Sequence, residues 1–275
     1  MTDTEIVGHW GHPQTVERAG SQLHYWTVGP ADAPLVVCTH GASMDHRMFE
    51  PQRDALLDAG YQLLVWDMRG HGLSKPMGPE FSVAAATDDL RAVLYAAGVN
   101  EVTLVGHSFG GFVSQEFIYR YPDRVRALVT IGSSDITASG PNREELLLAA
   151  SPYLFKALPD SLRRRLVAQT TALRPSVREY AYNATSQLSK DEFYQVWHAV
   201  ADHPRPEREY QIPCPFLLTH GEKDIVGTIA KHAPAWAERE PNAVYQVIDE
   251  AGHNANQDNP RDFNNVLCEF LHEYN

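Results

Sequence analysis

The stretch Val102-Thr103-Leu104-Val105-Gly106-His107-Ser108-Phe109-Gly110-Gly111 decides how the rest of the chain is read. Its first four residues are apolar or β-branched without alternation, the composition of a strand buried on both faces of a sheet. From Phe109 to Tyr121 the pattern is that of a helix, and Pro122 stops it. A serine held between a strand and a helix in the spacing G-x-S-x-G sits on a turn too sharp for neighbouring side chains. Gly106 and Gly110 remove the clashes, and Gly111 lets the helix pack closely. The turn lifts the Ser108 hydroxyl above the sheet edge, at the positive end of the following helix.

Outward from this turn the same rhythm repeats. Leu35 to Cys38, Leu63 to Trp66, Ala127 to Ile131, Phe216 to Thr219 and Ala243 to Ile248 are short apolar runs, with helical patterns between several of them. That alternation predicts an α/β fold with a mostly parallel sheet and helices on both faces. Thr15 to Val28 lacks helical periodicity and turns at Gly20-Ser21, so it predicts an antiparallel hairpin. A helix is expected from near Val83 to Ala97, closed by Gly98, and a last one from Pro260 to Tyr274. From 142 to 208 no strand is evident, only helix-like pieces punctuated by Pro152, Pro159, Pro175, Pro204 and Pro206. This predicts a core domain of residues 1–141 and 209–275, with a helical cap or lid inserted at 142–208.

A serine hydroxyl is a weak nucleophile until a base takes its proton, so Ser108 calls for a histidine. Of the thirteen histidines, His253 lies in the loop after the last strand, and sites in open α/β sheets form at the carboxyl ends of strands. The histidine in turn needs an acid to fix its tautomer. Asp224, after the strand that ends near Thr219, is the expected acid, and Asp135, after the strand that ends at Ile131, is the rival. Two backbone donors should face the developing oxyanion. The N–H of Phe109 is one, and the N–H of Ala42, in the loop His40-Gly41-Ala42-Ser43, is the other.

His40-Gly41, Asp67-x-Arg69-Gly70-His71-Gly72-x-Ser74, Gly106 to Gly111, Tyr121-Pro122 and Gly252-His253 together resemble the motif series of the α/β-hydrolase superfamily. The resemblance covers the chain outside the insertion. It implies an eight-stranded sheet, the triad Ser108–His253–Asp224, an oxyanion hole at Ala42 and Phe109, and a helical cap. It implies no catalytic role for His71, whose stretch is mainly a structural loop in that superfamily. Relatives that open epoxides or remove halogens carry aspartate at the nucleophile position, so Ser108 favours acyl transfer.

The expected activity is therefore that of a carboxylic-ester hydrolase acting on small to medium, largely apolar esters through an acyl-enzyme. Lactone hydrolysis, carbon–carbon bond hydrolysis of vinylogous diketones, and a ligand receptor with weak turnover are the alternatives. Met44 and His46 beyond the oxyanion loop, with Tyr153, Tyr194 and Trp197 from the insertion, are expected to line the substrate pocket. The same insertion aromatics would serve equally to pack the cap onto the core.

Composition limits the remaining classes. The formal charge of −12 opposes binding to nucleic-acid phosphates. Cys38, Cys214 and Cys268 are too widely spaced for a zinc site or a disulfide framework, and His9 and His12 lack a third ligand. No metal or cofactor is expected, and the partner is a small-molecule substrate. The polar, acidic start lacks a secretory pattern, and no run approaches the roughly 20 apolar residues that span a bilayer. A cytoplasmic protein without membrane insertion is expected.

Overall fold

The computed structural model describes residues 9–138, 155–156, 158–202, 205, 207 and 209–274. Eight strands form one sheet: β1 (Gln14–Arg18), β2 (Ser21–Val28), β3 (Leu35–Thr39), β4 (Gln62–Trp66), β5 (Val102–His107), β6 (Val125–Ile131), β7 (Phe216–Gly221) and β8 (Ala243–Ile248). Their order across the sheet is β1-β2-β4-β3-β5-β6-β7-β8. The β1–β2 and β2–β4 pairings are antiparallel and the other five are parallel.

Local chemistry explains these elements. Arg18 pairs with Ser21 across a two-residue turn in which Ala19 and Gly20 both have positive φ, the twist that suits a tight hairpin. Every residue of β3 and β5 is buried, so both faces of the sheet centre are covered, while β8 at the edge is partly exposed. The cover comes from α1 (Glu50–Asp58), α2 (Val83–Ala96), α3 (Phe109–Arg120), α7 (Ile229–Arg239), the single turn α8 (Ala255–Asp258) and α9 (Pro260–Tyr274). α2 packs on α3, and α9 packs on α1. The Ser82 hydroxyl caps α2 by accepting the Ala85 N–H at 3.1 Å, and Gly98, with φ 70°, follows its end. Inside, Arg69 forks onto Asp89 with bonds of 2.6 and 2.5 Å and fastens the 67–75 loop to α2.

Between β6 and β7 the described residues hold helices α4 (Asp160–Thr171), α5 (Pro175–Ser186) and α6 (Lys190–Ala201), and no strand. A reciprocal pair of bonds between Ser189 and Glu192 starts α6. Phe193 and Trp197, one turn apart, share a face of α6 and pack with Phe155. Arg163 of α4 is wholly buried with its guanidinium over the Phe193 ring at 4.6 Å.

Candidate active site

β5 ends at His107 and α3 begins at Phe109, so Ser108 alone makes the turn. Its φ of 50° and ψ of −116° lie where a residue with a Cβ is strained, at a cost of about 1–3 kcal/mol. The surroundings hold it there. The Ser108 N–H donates to Ile131 O at 2.8 Å, and its carbonyl accepts the Gly111 N–H at 2.8 Å and the Ser133 hydroxyl at 3.0 Å. A Cβ on Gly106 would collide with the backbone of Gly110 and Gly111, and one on Gly110 with that of Thr39 and His40.

β7 delivers Asp224 and β8 delivers His253, both at their carboxyl ends. His253 Nδ1 lies 2.9 Å from Asp224 Oδ2, and both residues are buried. Burial alone would raise the Asp224 pKa. The charge and hydrogen bond of the His253 ring, helped by the Val226 N–H at 2.8 Å, outweigh it and hold the carboxyl below its usual range. An ionised Asp224 accepts, so Nδ1 carries the proton and Nε2 is left as the basic nitrogen. Asp135 is occupied elsewhere: Oδ2 takes Arg239 Nη1 at 2.6 Å, and Oδ1 takes the Thr137 N–H and hydroxyl at 2.7 Å each.

A second histidine braces the first. His107 Nε2 is 3.1 Å from the His253 carbonyl, which can only accept, so Nε2 is the protonated nitrogen. Burial, reinforced by the His253 ring, pushes the His107 pKa well below the ordinary value and keeps this side chain neutral.

The loop after β3 is braced in the same manner. His40 donates from Nδ1 to Gly41 O at 2.8 Å and accepts the Met68 N–H on Nε2 at 3.0 Å. His71 donates from Nδ1 to Arg69 O at 3.0 Å and accepts the Ser43 N–H on Nε2 at 3.2 Å. Burial depresses both, His71 to about 3. The Asp67 to Ser74 stretch thus fixes the loop that carries Ala42.

Ser108, His253, Ala42 and Met44 line a cavity of about 600 Å³. Val167, Thr171, Trp197 and Val200 close it from the insertion, and Ile229, Ala233 and Trp236 form its α7 side. Its polar lining includes Ser133, Ser134, Asp135, His232 and Arg239. Of the expected pocket residues, Met44 and Trp197 lie on the wall of this cavity. His46 is not on the cavity wall: its ring stacks on Trp26 at 3.7 Å and its N–H and Nδ1 reach Asp67 Oδ1 at 2.8 and 2.9 Å. Burial disfavours its charged form, but Asp67 prevails and raises its pKa. Tyr194 is also off the wall, because the residue after Phe193 turns about 100° away from the Phe193–Trp197 face. Its ring lies under Lys156 instead. Tyr153 lies outside the described residues. The α7 side was missed, although Ile229, Ala233 and Trp236 recur at helical spacing and could have been found by that signal.

The family described as alpha/beta hydrolase fold matches residues 34–165, the span that holds the strand–Ser108–helix turn, and the sheet order, which takes in β1, β2, β7 and β8, extends the likeness of fold beyond it. The chain belongs to the α/β-hydrolase superfamily. A proline iminopeptidase of Pestalotiopsis fici is 34% identical over 127 residues, a match that spans only 43% of either chain. An sn-1-specific diacylglycerol lipase of Mus musculus is 26% identical over 88% of this chain and 82% of its own. Among solved structures, a thermophilic esterase from Thermogutta terrifontis superposes with a TM-score of 0.83 at 20% identity, covering 96% of this chain and 99% of that one. At that identity the likeness is one of fold. Hydrolase chemistry is the activity class that membership supports. Among the described residues, no helix is long and apolar enough to cross a membrane.

Proposed function

We propose that this α/β-hydrolase is a serine hydrolase of small to medium, largely apolar carboxylic esters. Ser108 Oγ attacks the ester carbonyl while His253 Nε2 takes its proton, and Asp224 holds the imidazolium that forms. The tetrahedral oxyanion is received by the N–H groups of Ala42 and Phe109. His253 then protonates the departing alcohol, and water, activated by the same base, releases the acid from Ser108. The observation that carries this reading is the 2.9 Å bond from His253, on the wall of the cavity that Ser108 also lines, to a buried, ionised Asp224. A metal or organic cofactor has no part in the scheme.

The mostly apolar wall favours an acyl or aryl group over a charged one. Residues 142–208 are assigned as a cap whose Val167 and Trp197 cover the cavity, and the −12 charge fits a small-molecule substrate better than a nucleic acid. The test is a fluorophosphonate probe with mass spectrometry to locate the label, followed by p-nitrophenyl esters of increasing acyl length. Stoichiometric label on Ser108 with ester turnover is expected. Folded protein that neither labels nor turns over any ester would overturn the assignment.

A further inference from the structure

The loop that carries His253 is tied to the helical insertion on both sides of the histidine. Asp258, at the end of α8, is wholly buried. Its Oδ2 accepts the Gly252 N–H at 2.9 Å, from the residue just before His253. The same carboxylate accepts the N–H of Leu173 at 3.0 and 2.9 Å and that of Arg174 at 3.0 Å. Leu173 and Arg174 form the corner between α4 and α5, where an anion faces the unpaired N–H groups at the start of α5. On the other side of the histidine, the Asn254 N–H donates to Thr171 O at 2.7 Å. The approach is close: a Cβ on Gly252 would sit 3.1 Å from Asp258 Oδ2 and 3.4 Å from both Leu173 Cγ and Thr171 O.

We propose that Asp258 is a positioning residue for the base, one that makes the seating of the α4–α5 corner and the placement of His253 a single event. The proposal rests on the reading of His253 as the base. One carboxylate serves donors from both segments, so lifting the corner strips Asp258 of its Leu173 and Arg174 donors and leaves a buried, under-bonded carboxylate holding Gly252. Val167 and Thr171 of α4 touch the cavity, so substrate packed against α4 presses on the element that sets the histidine. The corner is therefore an anchor next to the wall that Val167 and Thr171 form.

Asp258→Asn keeps the shape but turns one acceptor into a donor that faces backbone N–H groups. The expected result is a fall in kcat of about 100-fold at unchanged KM, the cost of misplacing a reacting group by about 1 Å. Fluorophosphonate labelling of Ser108 should slow in parallel, and Asp258→Glu, which keeps both acceptors, should recover part of both losses. If Asp258→Asn melts at a lower temperature yet keeps wild-type kcat and labelling per folded molecule, Asp258 only stabilises α5 and the proposal fails. Amide hydrogen exchange on the wild-type protein gives a second check that needs no variant. Leu173, Arg174, Gly252 and Asn254 should exchange through one common opening. Free exchange at Leu173 and Arg174 with Gly252 still protected would overturn the coupling. A wild-type protein unlabelled at Ser108, or a fully active His253→Ala, would instead break the underlying reading.

Discussion

Gly41→Ala is the sharpest test of how the site is assembled, because it adds one methyl group where three parts of it meet. A Cβ at Gly41 would overlap His107 Nδ1, fall 2.9 Å from His107 Cε1 and 3.2 Å from Ser108 Cβ. Ordinary contact begins at 3.4 Å, so the ring must recede from Cε1's position by at least half an ångström, and by more at Nδ1. Retreat is obstructed, since His107 is buried and bonded to the His253 carbonyl. Either the loop that carries Ala42 moves away from Ser108, or the His107–His253 contact opens. A displacement of about 1 Å costs roughly 100-fold, so half of it should cost about tenfold, and kcat on a p-nitrophenyl ester should fall between these limits. Overpacking should also remove about 1–3 kcal/mol of stability, read from urea unfolding. Placing Gly41→Ala on a His107→Ala background supplies the control. With the ring gone the methyl fits, so its added effect on kcat should be less than threefold, roughly 0.65 kcal/mol. Wild-type kcat in the single variant, or the same loss on both backgrounds, would refute the steric account.

Asp224→Asn should lower kcat by about 10⁴-fold, the size of the loss in the serine-protease case, because the amide favours the wrong tautomer. Asp135→Asn should leave kcat nearly intact, and the reverse pattern would move the acid to β6. Asp89→Ala strands the buried Arg69 guanidinium and should cost about 3–5 kcal/mol in urea unfolding; a loss below 1 kcal/mol would mean that water reaches the pair. Arg163→Met should leave stability equal or raise it by about 1–4 kcal/mol, since Nε and Nη2 of this buried arginine have no hydrogen-bond partner among the described residues; a large destabilisation would show that the charge is needed. His40, His71 and His107 are held neutral with depressed pKa values, so the unfolded chain binds more protons than the native one below about pH 6.5. Stability should therefore fall as pH drops from 6.5 towards the folded values, each group approaching about 1.4 kcal/mol per pH unit. Unfolding free energy that stays flat between pH 7 and 5 would contradict their burial as neutral rings.

The parts legible in the sequence are those written in side chains with one physical use. Continuous apolar runs such as Leu63 to Trp66 mark strands covered on both faces, and Gly98 and Pro260 mark helix boundaries. The turn at Ser108 is legible because its glycines answer a steric demand within five residues. The His253–Asp224 bond joins residues 29 apart at the ends of neighbouring strands, the loop position on which the sequence singles out both, while Asp135 meets the same test and only the fold shows it bonded to Arg239 instead. What stayed hidden depends on backbone geometry or on distant partners. His46 carries the same chemistry whether it faces a substrate or Asp67, and only the fold chooses. The links from Ser133 to Ser108 O, from His107 to His253 O and from Asp258 to three N–H groups end on main-chain atoms, which leave no mark on residue type.

The chain entering and leaving the insertion meets at one place, for the Arg205 N–H donates to Ile136 O at 2.7 Å and the Glu207 N–H to Thr137 O at 3.2 Å. At that junction the two runs of chain are about one strand spacing apart, near 5 Å, and closing that gap takes only a few residues. Under the proposed function, the segment that shapes specificity can therefore be exchanged as a cassette, with selection free to rewrite what is hydrolysed while the sheet that holds Ser108 stays unaltered. The exchange has one fixed condition: any replacement must return a pair of N–H donors to the place of Leu173 and Arg174, or the histidine loses its anchor along with its old substrate.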